Sequence, residues 1–159
     1  MDCSSKIVMY NPKKKVSAIL KKLKKQGGYS IKKKLNKKKF LEGSAKKMSE
    51  NKTWPEREFE KMMNELEIPF ECQKIVGGKI FDYYVPHKNM LIEVDGCYFH
   101  FNPDKFDTPN KMQKRNMKND KFKNVLASGM GYELERVWES DLKEKYSEVK
   151  KRFKKLLSL

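Results

Sequence analysis

Apolar and polar residues follow a helical period and then a strand period through residues 53–95. Phe59, Met62, Met63 and Leu66 recur at helical spacing, and the preceding TWPE predicts a helix start with a capping box formed by Thr53 and Glu56. Three short segments, 69–76, 79–85 and 90–95, are apolar or alternating and predict strands. Gly77-Gly78 and a Pro-His-Lys-Asn turn separate these strands. This half of the chain therefore predicts one helix followed by three strands.

The pattern continues into residues 102–159. A loop rich in Pro, Asn and Asp (102–110) precedes a predicted helix over about 110–128 and a strand over 131–138. A final helix is predicted from Ser140, because its apolar residues keep helical spacing: Leu142, Tyr146, Val149, Phe153, Leu156 and Leu157. The order α-β-β-β-α-β-α predicts an α/β (α+β-like) fold with a mixed sheet flanked by helices.

The first 50 residues differ from the rest in charge. They hold 16 Lys and three acids, and so they account for most of the net charge of +16 that the whole chain carries. We predict a helix between Asn11-Pro12 and Gly27-Gly28, a second basic helix over 30–41, and a linker over 42–52. The predicted organisation is a Lys-rich helical arm over residues 1–43 and a core domain over residues 44–159.

Such an arm is typical of a polyanion-binding segment, because lysines displace counterions from phosphates. A solubilising tail remains an alternative, and membrane binding is disfavoured because the arm lacks Trp and a broad apolar face. No run of about 18 apolar residues is present, and the first 25 residues are too charged for a signal peptide. Three cysteines without a CxxC pair favour a reducing, intracellular location. The candidate nucleic-acid contacts in the arm are Lys13, Lys14, Lys15, Lys21, Lys22, Lys32, Lys33 and Lys34.

Three acidic residues within apolar strands predict a metal-binding site. Asp82 lies within IFDYYV, and Glu93 and Asp95 alternate with Ile92 and Val94 on the next strand. An antiparallel pair of strands would bring Asp82 beside Glu93 or Asp95, and converging carboxylates suit Mg²⁺ with a phosphate substrate. The alternative is a set of surface acids paired with lysines on an edge hairpin.

These residues resemble a known family. Asp82, DGCYFH, RNMKND and GYELERVWE match, in order, the strand Asp, HGCFWH, N-x₃-D helix and GWRVxxVWE of the very short patch repair (Vsr) endonucleases. Homing endonucleases with a Vsr-like core, of the PD-(D/E)xK (restriction endonuclease-like) superfamily, are similar too. The resemblance covers roughly residues 44–142. It implies a metal-dependent DNA endonuclease that acts on double-stranded DNA with Mg²⁺, for which Mn²⁺ can substitute, and with no small-molecule cofactor.

The resemblance also implies roles for individual residues. Asp82 would be the principal metal ligand, with Glu93 and Asp95 contributing oxygens, and His100 would transfer a proton or assist in-line attack. Glu56, which spacing places on the buried face of its helix, would hold metal-bound water. The remaining assignments are Asn116 and Asp120, orienting His100 and the water network, and Tyr98 and Phe99, wedging into the base stack.

The sequence departs from the repair enzymes in two ways, which bear on the structural zinc and on the branch of the family that it resembles. The repair enzymes hold a structural zinc with Cys and His, whereas here Asn102, Asp104 and Ser140 stand near Cys97, so we predict no zinc. Asp95 replaces the first motif histidine, which favours the homing or phage-type branch, with its Glu-Asp-x-His-Asp set, over T·G mismatch repair. The alternatives are a catalytically silent nuclease-fold protein that binds DNA or serves in assembly, and an RNA-bound basic protein.

Overall fold

A four-stranded mixed sheet forms the centre of the computed structural model, which describes residue 21 and residues 34–158. The strands are β1 (Glu71–Val76), β2 (Lys79–Val85), β3 (Met90–Asp95) and β4 (Glu133–Trp138), and they lie side by side in the order β1-β2-β3-β4. The first three strands pair antiparallel, and β3 pairs parallel with β4. The predicted fold class is therefore confirmed.

One face of the sheet packs against three helices: α2 (Trp54–Glu65), α4 (Glu139–Glu144) and α5 (Tyr146–Leu157). Phe59 lies at the centre of this core and contacts the rings of Tyr83 and Phe153, each with its centroid 5.1 Å away. The predicted capping box starts α2, with the Thr53 N–H donating to Glu56 Oε2 at 2.7 Å. This face contains Ile92 and Val94, so their strand neighbours face the other way.

The opposite face is covered by the long helix α3 (Lys111–Gly129). Leu126 and Ala127 of α3 pack against Val76, Phe81 and Leu91 of the sheet. The β1–β2 turn fits closely under this helix, because a Cβ at Gly77 would lie 2.5 Å from Leu126 Cδ1. Gly77 also has φ +56°, a conformation that glycine adopts without steric cost. Both constraints favour glycine at this turn.

The linker predicted over residues 42–52 is wrong. A single helix, α1 (Lys34–Glu50), extends through most of it, packs along β1 and buries Ala45. Gly43 is exposed and tolerated, while ion pairs between Lys38 and Glu42 and between Lys46 and Glu50 add small increments to helix stability. The boundary predicted after residue 43 thus falls within a helix.

The single C-terminal helix predicted from Ser140 is also wrong, because α4 and α5 are separated at Lys145 (φ −136°, ψ 34°). The apolar spacing is conserved across the break, so the same residues still reach the core. Among the described residues, no helix is both long and apolar enough to cross a lipid bilayer. The predicted helix before Gly27 and most of the candidate DNA-binding lysines lie outside the described residues; Lys21 is helical and exposed, and the side chain of Lys34 is not described.

Candidate active site

The predicted acidic residues gather on the face of the sheet beneath α3. Glu93 and Asp95 have 3% and 2% of their surface exposed, and both point away from the core that contains Ile92. The alternation predicted for this strand is therefore confirmed. Two buried carboxylates two residues apart require partners, because an isolated buried charge is costly.

Asp82 lies next to Glu93 across the β2–β3 pair. The register pairs Tyr83 with Ile92, which places Asp82 opposite Glu93, and Asp82 Oδ2 accepts a hydrogen bond of 2.8 Å from the Val94 main-chain N–H. Desolvation by the surrounding protein, reinforced by the negative charge of Glu93, raises the pKa of Asp82 to about 8. The site therefore holds more acid than its local cations neutralise.

Glu93 is paired with Lys123 of α3, a residue that the sequence analysis did not identify. Lys123 Nζ donates to both Glu93 oxygens at 2.7 Å and lies 5.0 Å from the centroid of the Phe81 ring. Burial raises the pKa of Glu93, and the Lys123 ammonium opposes that effect. A sequence signal existed, because Asn116, Asp120 and Lys123 share one helix face at i, i+4 and i+7.

Asp95 belongs to a separate ionic network with Arg136 and His100. Both Asp95 oxygens accept from Arg136 Nη1, at 2.8 and 2.6 Å, and His100 Nδ1 lies 3.4 Å from Asp95 Oδ1. Arg136 comes from β4, whose parallel register with β3 pairs Glu93 with Arg136. Arg136 carries no comparable signal in the sequence, because the parallel pairing that brings it to Asp95 could not be deduced from spacing.

Asp120 completes this network from α3. Asp120 Oδ2 lies 2.9 Å from His100 Nδ1, and Asp120 Oδ1 lies 3.7 Å from Arg136 Nη2. Because a carboxylate only accepts hydrogen bonds, Nδ1 must carry the proton. The other ring nitrogen, Nε2, is then the atom of His100 that can accept or release a proton.

The environment of His100 favours its charged form. Burial disfavours the imidazolium, but the hydrogen bond to Asp120 and the negative charges of Asp95 and Asp120 outweigh this effect and raise the pKa of His100 above its ordinary value. The chain can therefore keep a protonated imidazole near neutral pH, as a general acid requires.

Asp120→Asn is expected to lower the pKa of His100, because the amide removes the nearest negative charge. The measurement is an NMR titration of the imidazole signals. His87, the only other histidine, lies 2.9 Å from the Leu157 carbonyl, and its imidazole signals serve as the internal reference. An unchanged His100 titration in this variant would show that Asp120 does not set its protonation.

The aromatic loop after β3 is held by α3. Gln113 Nε2 donates to the Tyr98 carbonyl at 2.7 Å, and Asn116 Nδ2 donates to the Phe99 carbonyl at 3.0 Å. The Tyr98 and Phe99 side chains are 50% and 57% exposed. Asn116 thus contacts the loop main chain, while of the predicted pair Asp120 alone contacts the histidine. The structure presents two aromatic rings on an anchored loop.

Cys97 follows this strand end in a polar cluster. Asn102 Nδ2 lies 3.7 Å from Cys97 Sγ and 3.4 Å from Ser140 Oγ, and Asn102 is buried. Asp104 contributes its main-chain N–H, which donates to Asn102 Oδ1 at 2.9 Å. Hydrogen bonds centred on Asn102 therefore join Cys97, Asp104 and Ser140, the residues near which a zinc site like that of the repair enzymes would require Cys and His ligands.

Glu56 belongs to α2, the helix on the other face of the sheet. It is 8% exposed, its Oε2 accepts from Thr53, and it contributes negative charge at Asp82. In the described part of the chain, no three His, Cys, Asp or Glu side chains form a group that could hold an ion alone. Asp82 with Glu93 still fits Mg²⁺, which takes one or two carboxylates and completes its shell with waters and phosphate oxygens.

Comparisons with known proteins agree with this fold. No protein-family model and no curated protein matches the chain. Among solved structures, the chain is similar to the catalytic domain of the homing endonuclease I-Bth0305I, with 25% sequence identity and a TM-score of 0.50. The match covers 65% of this chain and 93% of that domain. The fold is therefore that of a nuclease catalytic domain.

Proposed function

We propose that this chain is a Mg²⁺-dependent DNA endonuclease with a Vsr-like core of the homing or phage type. The observation that carries the proposal is the arrangement beneath α3: the acid pair Asp82–Glu93 lies beside a histidine held by two carboxylates, on a fold similar to a homing endonuclease catalytic domain. A structural core does not need this arrangement, because buried like charges cost free energy. Metal-assisted phosphodiester hydrolysis can use it, because carboxylates bind the cation and a histidine transfers the proton.

The residues divide into two groups by their contacts. Asp82 and Glu93 would hold the cation, with Glu56 facing its hydration shell. A bound Mg²⁺ would supply positive charge at the scissile phosphate and would acidify a bound water. His100 Nε2 would then donate a proton to the leaving oxygen. Asp95, Asp120 and Arg136 fix the ring of His100, so Asp95 acts as a positioning residue more readily than as a metal ligand.

The DNA surface would combine the aromatic loop with the lysine arm. Exposed Tyr98 and Phe99 on an anchored loop suit insertion between base steps, which exchanges stacking for a deformed duplex. The lysines of residues 13–34 would contact phosphates without reading sequence. In this arrangement the arm would bind the DNA backbone and the domain would deform the duplex.

Tyr98→Ala and Phe99→Ala are expected to cost no more than about 1.5 kcal/mol of stability each, because both side chains are half exposed and lose mainly ring contacts within the loop. Both variants should lose the base unstacking that wild type causes, measured as fluorescence of 2-aminopurine in a duplex. Trp54→Ala, at an exposed aromatic of α2 on the other face of the sheet, is the control. Unstacking that persists in the double variant would exclude the wedge.

The decisive experiment for the proposed function is cleavage of supercoiled plasmid by the full chain. Wild type is expected to give nicked or linear product with Mg²⁺ and no product with EDTA. Asp82→Asn is expected to give no product in either condition. Glu133→Gln removes an exposed carboxylate at the other end of β4 and should cleave like wild type. Mg²⁺-dependent cleavage that survives Asp82→Asn would refute the proposed site.

A second candidate function, a DNA-binding protein that does not cut, has one observation in its favour. Lys123 and Arg136 already neutralise Glu93 and Asp95, so both acids are satisfied without a metal. Binding of duplex DNA together with no calorimetric Mg²⁺ signal and no cleavage would establish this alternative.

A further inference from the structure

Gln73 is an unusual residue at the middle of β1. Its side chain is 7% exposed, and its backbone has φ +53°, a region that non-glycine residues rarely occupy within a strand. Strain of this kind costs free energy and persists where the surrounding structure enforces it, often at functional sites. The position of the side chain explains what this strain achieves.

Glu56 fixes the orientation of the Gln73 amide. Gln73 Nε2 donates to Glu56 Oε1 at 3.5 Å, while Glu56 Oε2 accepts from Thr53. The opposite amide orientation would bring two oxygens together, so the contact with Glu56 determines which end of the amide points away. That end is Gln73 Oε1, which is buried and has no hydrogen-bond partner within the described residues.

The strand register places Gln73 against the acid pair. Cys72 pairs with Tyr83, and Lys74 pairs with Phe81, so the residue opposite Gln73 is Asp82. Asp82 is in turn opposite Glu93 on β3. By register, Gln73, Asp82 and Glu93 thus occupy neighbouring positions on three adjacent strands, and of the two carboxylates that of Glu93 already has an ammonium partner.

We propose that Gln73 belongs to the cation site, with its Oε1 facing the hydrated divalent cation bound at Asp82. The inference rests on the proposed function and assigns a neutral oxygen donor to the site. A carbonyl oxygen adds a ligand to a hard cation without adding negative charge where three acids already repel one another. The strained backbone directs this oxygen inward, and Glu56 holds the amide in that orientation.

Gln73→Gly separates a cation-binding role from a structural one, because glycine accepts the positive φ but lacks the amide. Binding of Mn²⁺ to the full chain is measured by isothermal titration calorimetry, and folding is measured by thermal melting in EDTA. We expect the dissociation constant to rise roughly 10- to 100-fold, as for removal of groups that support a metal. We also expect a melting temperature close to that of wild type.

Glu67→Gly is the matched backbone control, because Glu67 has φ +56° in an exposed position. It should bind Mn²⁺ like wild type, and Asp82→Asn should not bind it. Gln73→Asn, whose side chain tolerates positive φ but is shorter, repeats the test if the glycine variant fails to fold. Wild-type affinity in a folded Gln73 variant, with binding lost in Asp82→Asn, overturns this inference and leaves the proposed site intact. No Mn²⁺ binding by wild type overturns both.

Discussion

Asp82→Asn is expected to abolish DNA cleavage and, in the absence of metal, to make the protein more stable. The loss of cleavage should be at least about 100- to 1,000-fold, the scale seen when one group that stabilises transition-state charge is removed. The gain in stability follows from the raised pKa of Asp82, about 8 in the folded protein. Asparagine can still accept the Val94 hydrogen bond through its carbonyl oxygen.

The sign of this effect determines its pH dependence. An acid whose pKa is higher in the folded state binds more protons folded than unfolded between its two pKa values, so folding stability falls as pH rises through that interval. The cost should be absent near pH 4 and fully developed above pH 8. At one pKa unit per ~1.4 kcal/mol, and with allowance for relaxation, Asp82→Asn should gain on the order of 2–5 kcal/mol at pH 8.

Guanidinium unfolding of both proteins in EDTA, at several pH values, measures this difference. The stability gap should widen with pH and then level off near pH 8. Glu133→Gln, which changes an exposed carboxylate, should show no such trend. A gap that is constant across pH would mean that Asp82 is not the titrating group.

Lys123→Met is expected to destabilise the protein by about 3 kcal/mol, because it leaves Glu93 buried without its ion-pair partner, with only the more distant charge of Arg136 nearby. The methionine keeps much of the apolar stem against Phe81, so the effect reports charge more than packing. Urea unfolding at neutral pH provides the measurement. Lys121→Met, at an exposed position of the same helix, should stay within about 0.5 kcal/mol of wild type.

A double-mutant cycle tests the cause. Adding Glu93→Gln to Lys123→Met removes the buried negative charge that has lost its partner, and this should recover a large part of the lost stability. Equal loss in the single and double variants would mean that Lys123 stabilises the helix through contacts other than Glu93.

Local patterns were enough to predict much of the fold. Alternation in 92–95 placed Glu93 and Asp95 opposite the core, and the TWPE motif predicted the capping box of α2, because both depend on near neighbours. The second half of helix α1 was missed because Gly43 and two serines suggested a break, whereas packing along β1 outweighs their low propensity.

The site was predicted only in part, for a physical reason. Acids within apolar strands are visible in sequence, but the cations that compensate them come from elsewhere in the chain. Lys123 reaches Glu93 from a helix 30 residues later, and Arg136 reaches Asp95 through a parallel pairing that is set by the tertiary fold. Gln73 carried no signal, because its importance comes from a backbone conformation.

The close contact between Gly77 and Leu126 bears on which natural sequence variants would lose activity. The turn sets how near α3 approaches the sheet, and α3 carries both Asp120 and Lys123. A side chain at position 77 would strain the turn and would have to displace Leu126, so it would act on the helix that carries these ionic contacts without altering one charged residue. Natural variants that lose activity should therefore arise at a glycine in a surface turn as readily as among the acids themselves.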